Sequence, residues 1–174
     1  MIAGNGYGFV QRVTTRAHDP GEFVVVEKLQ YLSRAGLVFS VERGFITDFA
    51  STPWIVQVLP GFDVNGDSRE PAVLHDRLYC ARGEVEAFDI HAQRWQLLRL
   101  SRAECDALFR EALLSVGFNG AAVFAYWSGV RAGGWHHWNR RLKPKHPSYD
   151  FVPQSYWDRD VDAPLSCGSK PWLI

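Results

Sequence analysis

The sequence predicts an α+β fold: N-terminal antiparallel β-strands are followed by a bundle of about three helices, and an extended C-terminal arm ends the chain. Three observations lead to this prediction. β-Branched and alternating apolar runs come first, capped helical patterns follow, and prolines gather near the C-terminus. The 174 residues, of which 47% are hydrophobic, are enough to bury one sizeable core.

The first two strands are predicted as EFVVVEKLQYL (22–32) and LVFSVE (37–42), joined by the short turn Ser-Arg-Ala-Gly. The first run is β-branched and then alternates, which is typical of a strand. GFITDFA (44–50) is predicted as a third strand. Asp48 then lies near the end of this strand, shortly before the turn-forming Ser-Thr-Pro that begins at Ser51.

Three helices are predicted further along the chain. PAVLHDRLYCAR (71–82) has a proline near its start, a position that proline tolerates well. The serine and glutamate of SRAE (101–104) form a capping box ahead of an apolar-periodic segment, which Gly117 closes. Asn119 is the expected cap of a third helix, GAAVFAYWSGVRAGGWHHW (120–138).

The domain organisation follows from these elements. Between the first two helices, HAQRWQLLRL (91–100) is predicted as a strand or as the edge of an insertion. Residues 1–142 are assigned to a single α+β domain. Residues 143–174 contain five prolines and are assigned to an extended arm that wraps the body or a neighbour.

Charge and cysteine content narrow the function classes. The net charge is zero and the pI is about 7.0, so we expect no nucleic-acid partner. The three cysteines form no C-x-x-C pair, which argues against a disulfide scaffold and a thiolate zinc site. We find no signal peptide and no membrane-spanning run in the sequence.

The first predicted helix carries the main candidate site. His75 and Asp76 are about 100° apart around a helix, so they can flank one groove, with Tyr79 below both. The imidazole can act as a base near neutral pH while the carboxylate holds a cation. Asp106 lies close to the apolar face of the next helix and is predicted to bond Nδ1 of His75, which would fix the tautomer of the ring.

Asp48 would complete this site as a second anionic ligand opposite Asp76. Two carboxylates together with main-chain oxygens suit Ca²⁺ better than Zn²⁺. The expected cofactor is therefore Ca²⁺.

The same residues also fit a structural interpretation. The His-Asp dipeptide can be a satisfied core pair with no catalytic role. Asp48 can accept the amides of the turn that begins at Ser51. Asp106 can pair with Arg102 or Arg110, its neighbours one helical turn away on either side. The residues alone leave both interpretations open.

Three ordered motifs carry a family resemblance: GFITDFASTPW (44–54), AVLHDRLY (72–79) and SRAECDALFREAL (101–113). They resemble the signature of DUF1353, a domain-of-unknown-function family found in tailed phages and prophages. The resemblance covers about residues 22–135. It implies a phage origin, a place in the virion tail or in the host cytoplasm before assembly, and other tail proteins as partners.

A second resemblance is to prokaryotic phospholipases A2, which share the order of an upstream Asp, a helical His-Asp followed by an aromatic residue, and a later helical Asp. It implies that His75 activates water and that Asp106 orients His75. It also implies that Asp48, Asp76 and the carbonyl of Phe49 hold Ca²⁺. The disulfides and the glycine-rich calcium loop of that family are absent from the sequence.

These observations lead to the hypothesis of a phage-encoded, tail-associated hydrolase that acts on an ester or amide of the host envelope, with a lipid or cell-wall substrate. The competing hypothesis is a non-catalytic structural or adaptor protein of the tail, in which the motifs form a buried hydrogen-bonded network. A third hypothesis is a zinc-dependent cell-wall hydrolase that uses His75 with His136 or His137.

Overall fold

The computed structural model describes residues 6–18, 20–47 and 66–139, apart from the side chains of residues 136 and 137. Within these ranges the strands are β1 (Gly8–Phe9), β2 (Thr15–Ala17), β3 (Phe23–Val25), β4 (Leu29–Leu32), β5 (Leu37–Val41), β6 (Ile46–Thr47), β7 (Glu84–Asp89) and β8 (Arg94–Arg99). The helices are α1 (Arg69–Cys80), α2 (Arg102–Ser115) and α3 (Gly120–Asn139). The predicted C-terminal arm lies outside the described residues.

The described strands form two antiparallel sheets. The larger sheet has five strands in the order β1-β4-β5-β7-β8, and the smaller has three in the order β2-β3-β6. Six strands precede the first described helix, and β7 and β8 form a hairpin between α1 and α2. The predicted α+β class, with antiparallel strands first and three helices after, is confirmed.

The segment 22–32 is not one strand, as the sequence predicted, but two. Glu27 and Lys28 lie exposed between β3 and β4. Because β3 pairs with β2 and β6 whereas β4 pairs with β1 and β5, the chain changes sheets at this point. A β-branched run indicates that its residues suit a β-strand, but it does not indicate which neighbouring strand each half of the run pairs with. The predicted turn between β4 and β5 is confirmed, and Gly36 adopts a φ of 77° there.

The strand predicted from HAQRWQLLRL is β8, and it is the edge strand of the larger sheet. The prediction omits its partner β7, although exposed and buried residues alternate there from Glu84 to Ala87. It also omits β1 and β2, because strands of two or three residues are too short to show a period.

The helix ends follow the predicted signals. Ser101 and Glu104 form the capping box of α2, and Gly117 follows its C-terminus with a φ of 97°. Asn119 accepts a backbone N–H of the first turn of α3 at 2.9 Å. α1 begins two residues earlier than predicted, which places Pro71 in its first turn. No helix in the described part of the chain has the length and apolarity needed to cross a bilayer.

The main core lies between the sheets and the helices α1 and α2. Fully buried side chains of this core come from both layers and include Phe9, Leu29, Tyr31, Val41, Phe45, Val73, Leu74 and Leu78. A second cluster joins α2 to α3 and consists of Phe109, Leu113, Val123, Tyr126 and Val130. Since α2 contacts both other helices, polar groups near its start lie between α1 and α3.

Candidate functional site

His75 of α1 and Asp106 of α2 are in direct contact inside the protein. Nε2 of His75 lies 3.0 Å from Oδ1 of Asp106, and the two side chains are 1% and 0% exposed. The contact predicted between these residues is therefore present. The prediction that it would use Nδ1 is wrong, since Nε2 faces the carboxylate.

Two aromatic rings set the orientation of the imidazole. Tyr79, one turn later on α1, has its ring centroid 4.1 Å from that of His75, and Phe109 of α2 has its centroid at 4.7 Å. These neighbours hold the ring so that Nε2 points at Asp106. Helical spacing specifies only the direction of the Cα–Cβ bond, so the sequence does not reveal which ring nitrogen meets Asp106.

Asp106 accepts hydrogen bonds from three side chains. Besides His75, the Tyr79 hydroxyl donates to Oδ1 at 2.5 Å, and Arg131 of α3 donates to Oδ2 at 2.8 Å. Arg102, the predicted helical partner, lies 3.9 Å from Oδ2 and donates instead to the main-chain oxygen of Arg131 at 3.0 Å. Groups from all three helices therefore surround this carboxylate.

The charge states follow from these contacts. Burial alone would raise the pKa of Asp106, but the hydrogen bonds from its three donors outweigh burial and hold that pKa below its ordinary value. Burial lowers the pKa of His75, and the neighbouring Asp106 carboxylate opposes this only in part. Burial raises the pKa of Tyr79, so its hydroxyl stays protonated. At neutral pH the pair therefore consists of a neutral imidazole and an ionised carboxylate.

The neutral imidazole of His75 carries its proton on Nε2, the nitrogen that faces Asp106. An ionised carboxylate can only accept hydrogen bonds, so this nitrogen has to be the donor. Nδ1 of His75 is then the unprotonated nitrogen. This atom is buried and has no hydrogen-bond partner among the described residues. The ring thus has one nitrogen that fixes its tautomer and one that is chemically able to take a proton.

Asp76 faces the end of β6. Its Oδ2 accepts a hydrogen bond from the Thr47 hydroxyl at 2.5 Å, and Asp76 is 5% exposed. Thr47 is the residue immediately before Asp48, so the chain enters the segment 48–65 next to Asp76. The other predicted site residues of this segment, Asp48, Phe49 and Ser51, lie outside the described residues.

Among the predicted Ca²⁺ ligands, Asp76 alone falls within the described ranges. Over residues 6–18, 20–47 and 66–139, no three His, Cys, Asp or Glu side chains are grouped so that they can hold a metal ion. Cys105, next to Asp106 in the chain, is a poor metal ligand. Burial, followed by the charge of Asp106, raises the pKa of its thiol to about 12, and only the thiolate binds a metal ion well. A Ca²⁺ site at Asp76 therefore cannot be built from the carboxylate, imidazole and thiol groups of the described residues alone.

Sequence reasoning missed three residues that shape the site: Thr47, Arg131 and Gly134. A Cβ on Gly134 of α3 would lie 2.6 Å from the Tyr79 hydroxyl oxygen, so α3 can approach α1 closely at this position. Trp138 packs edge-on against the same tyrosine at 5.2 Å. The local signal was a Gly-Gly pair within a helical pattern, which is typical of close packing. The Arg131 contact spans 25 residues and has no local signal.

Comparison with known families matches residues 23–130 to a family described as "Protein of unknown function (DUF1353)". The matched range runs from β3 into α3. It includes His75, Asp76 and Asp106 and ends one residue before Arg131. No curated protein and no solved structure matches the chain.

Proposed function

The chain belongs to the DUF1353 family, and we propose that it is a hydrolase in which His75 acts as general base on an ester or amide of the host envelope. One observation carries the proposal. Nε2 of His75 is bonded to a buried carboxylate while Nδ1 is unprotonated and has no partner among the described residues. A histidine general base needs its two ring nitrogens in these different states, because one nitrogen sets the tautomer and the other takes the proton.

The proposed reaction is a water addition assisted by Nδ1. Nδ1 takes a proton from water as the water oxygen bonds to the acyl carbon. The bond from that carbon to the leaving oxygen or nitrogen then breaks, and the proton passes from Nδ1 to the leaving group. Between these steps His75 is positively charged, and Asp106 at 3.0 Å stabilises that charge. A Ca²⁺ ion held by Asp76 with donors from residues 48–65 would supply polarisation of the acyl oxygen.

Asp106 is suited to a positioning role because its own charge is stabilised. Arg131 and the Tyr79 hydroxyl both donate to it, so it stays ionised and keeps Nε2 of His75 protonated. Arg102 lies farther from the carboxylate, and its hydrogen bond to a main-chain oxygen of α3 helps to hold α3 beside α2.

We further propose that the protein is phage-encoded and acts in the virion tail, with other tail proteins as partners and a lipid or cell-wall component as substrate. The support is the resemblance of its three motifs to a family found in tailed phages. Hydrolysis at the envelope is a step that a tail component can perform during entry.

The test of catalysis measures hydrolysis of phospholipid vesicles and of purified peptidoglycan, each with Ca²⁺ and with a chelator. We expect the wild type to hydrolyse one of these substrates in a Ca²⁺-dependent way. His75→Gln should lower the rate by about 10²–10⁴-fold, the usual contribution of a general base. His91→Gln, which alters an exposed histidine of the β7–β8 turn, is the matched control and should keep full activity. Equal rates for the wild type and His75→Gln would rule out the proposed base.

A structural role in the tail is the second proposal, and the burial of the pair favours it. The His75 and Asp106 side chains are 1% and 0% exposed, and the network around Asp106 joins α1, α2 and α3. Under this proposal His75→Gln lowers the free energy of unfolding, and the wild type hydrolyses neither substrate. Unfolding curves recorded beside the activity assays distinguish the two proposals.

A further inference from the structure

The outer face of the larger sheet carries apolar side chains as far as its edge strand. The register places Leu32 opposite Val38, Val38 opposite Phe88, and Phe88 opposite Trp95, which forms one apolar row across four strands. The rings of Phe88 and Trp95 meet edge-on at 5.5 Å. At the edge, Trp95 and Leu97 are 55% and 64% exposed. The row therefore ends in the exposed Trp95, and Leu97, opposite Glu86, is a second exposed apolar side chain on the same edge strand.

The main chain of β8 also directs hydrogen-bonding groups away from its described partner β7. Among the described strands, β8 pairs with β7 alone. Leu100 donates its N–H to the carbonyl of Gly83, so by the antiparallel alternation the even-numbered residues of β8 direct their main-chain groups at β7. The main-chain N–H and C=O groups of the odd-numbered residues point away from β7; these residues are Trp95, Leu97 and Arg99. These same three residues carry their side chains on the outer face.

β8 lacks the features that usually protect an edge strand from pairing. It has six residues in unbroken register with β7, and it contains neither proline nor lysine. Its terminal arginines are its only charged residues, and Arg99 lies 3.3 Å from Glu84 on the neighbouring strand. A regular edge with exposed Trp95 and Leu97 suits the addition of another strand.

We propose that this edge pairs antiparallel with the same edge of a second copy of the chain, about a two-fold axis at Leu97. In this register Leu97 lies opposite the partner's Leu97, and Trp95 lies opposite the partner's Arg99. No like charges face each other, and each guanidinium lies beside an indole ring, which favours association. A register centred on Gln96 would instead require Gln93, whose φ of 51° departs from a strand. The second copy thus fits both the hydrogen-bonding edge and the side chains.

The oligomeric state of the full chain tests this proposal, and the result does not depend on whether the protein is a hydrolase. We expect sedimentation equilibrium between about 1 and 200 µM to show a monomer–dimer equilibrium. Leu97→Lys should weaken the dimer by roughly tenfold or more. Phe124→Lys alters a side chain of similar exposure, 65%, on α3 and should leave the equilibrium unchanged. A monomer at every concentration, or a dimer insensitive to Leu97→Lys, overturns the proposal.

Two further variants keep the test independent of a folding defect. Leu97→Pro removes an N–H that no described strand of the same chain uses, so the variant should fold and lose self-association. Leu97→Cys should form a disulfide-linked dimer on mild oxidation, because paired residues at the axis have Cα atoms about 5.5 Å apart. Wild type and Phe124→Cys should not cross-link under the same conditions. Cross-linking of Phe124→Cys to the same extent contradicts the proposed register.

Discussion

Asp106 shows how a fully buried carboxylate can remain ionised. Each of its oxygens accepts a hydrogen bond, and Arg131 provides the compensating charge at 2.8 Å. The same ionisation determines which nitrogen of His75 is basic, because it places the proton on Nε2. A change in the charge of this single side chain therefore affects both the stability of the helices and the chemistry of the imidazole.

Replacing Asp106 by Asn tests this interpretation. An amide keeps the shape of the side chain but presents an NH₂ group to one of the donors and removes the charge that faces Arg131. We expect the free energy of unfolding to fall by about 2–4 kcal/mol, somewhat less than for a fully buried ion pair, because Arg131 is 33% exposed and water can solvate it. Urea unfolding at neutral pH measures the loss.

A surface pair provides the control for this variant. Asp67 lies 2.7 Å from Arg12, and both side chains are more than half exposed, at 58% and 59%. Asp67→Asn should therefore change the free energy of unfolding by about 1 kcal/mol or less. Similar losses for Asp67→Asn and Asp106→Asn would contradict the importance assigned to the buried carboxylate.

The contact between His75 and Asp106 was predicted from the sequence for a physical reason. His75 and Asp106 each lie on an apolar helix face, and a polar residue on such a face needs a buried partner, so their contact was predictable. Arg131 was not predictable, because it reaches Asp106 across the packing of two helices that the local pattern does not specify. The atom of His75 that makes the contact depends on the aromatic neighbours of the ring, which the sequence pattern does not reveal.

At the scale of elements, α3 approaches α1 closely at Gly134. A methyl group there would lie 2.6 Å from the Tyr79 hydroxyl oxygen, which itself donates to Asp106 at 2.5 Å. We expect Gly134→Ala to lower the free energy of unfolding by about 1–3 kcal/mol, although alanine is the better helix former by about 1 kcal/mol. Gly120→Ala, at a position with no atom within 4 Å of the added carbon, should be neutral or slightly stabilising.

A double-mutant cycle isolates the cause of that loss. Tyr79→Phe removes the hydroxyl that the new methyl group would strike, so part of the loss from Gly134→Ala should disappear in the Tyr79→Phe background. Strictly additive losses in the unfolding measurements would show that the loss from Gly134→Ala does not come from a clash between the new methyl group and the Tyr79 hydroxyl.

The elements also show why helices were easier to predict than strands. The capping box at Ser101 and the glycine at Gly117 are local signals, and they specify the ends of α2 within the chain itself. The partner of a strand is decided by distant residues, so the sequence did not reveal that β3 and β4 belong to different sheets. The hairpin turn at Gly36 was predictable because its strands are adjacent in sequence.

At the scale of the whole molecule, α2 connects the site to the rest of the fold. Its Glu111 accepts the Tyr31 hydroxyl at 2.8 Å and the Arg34 N–H at 3.0 Å, which ties the helix to the β4–β5 hairpin. Its Asp106 joins α1 and α3. A change of charge at the buried pair should therefore affect the stability of the described fold as a whole and not only the first turns of one helix.

The pH dependence of stability follows from this coupling. Folding lowers the pKa of His75 below its ordinary 6.5, so below about pH 6.5 the unfolded chain binds a proton that the folded chain does not. Stability contributed by the neutral ring is present above that pH and declines as the pH falls toward the folded-state pKa. The pKa of Asp106 is held below 3.8, which extends the decline in the same direction at lower pH.

We therefore expect the free energy of unfolding, measured in urea, to be lower at pH 5 than at pH 7. His75→Gln removes the titrating ring and should make this pH dependence shallower, whatever its effect on stability at pH 7. If His75→Gln instead made the decline steeper, His75 would have to gain a proton on folding, and the neutral imidazole on which the proposed base depends would not exist.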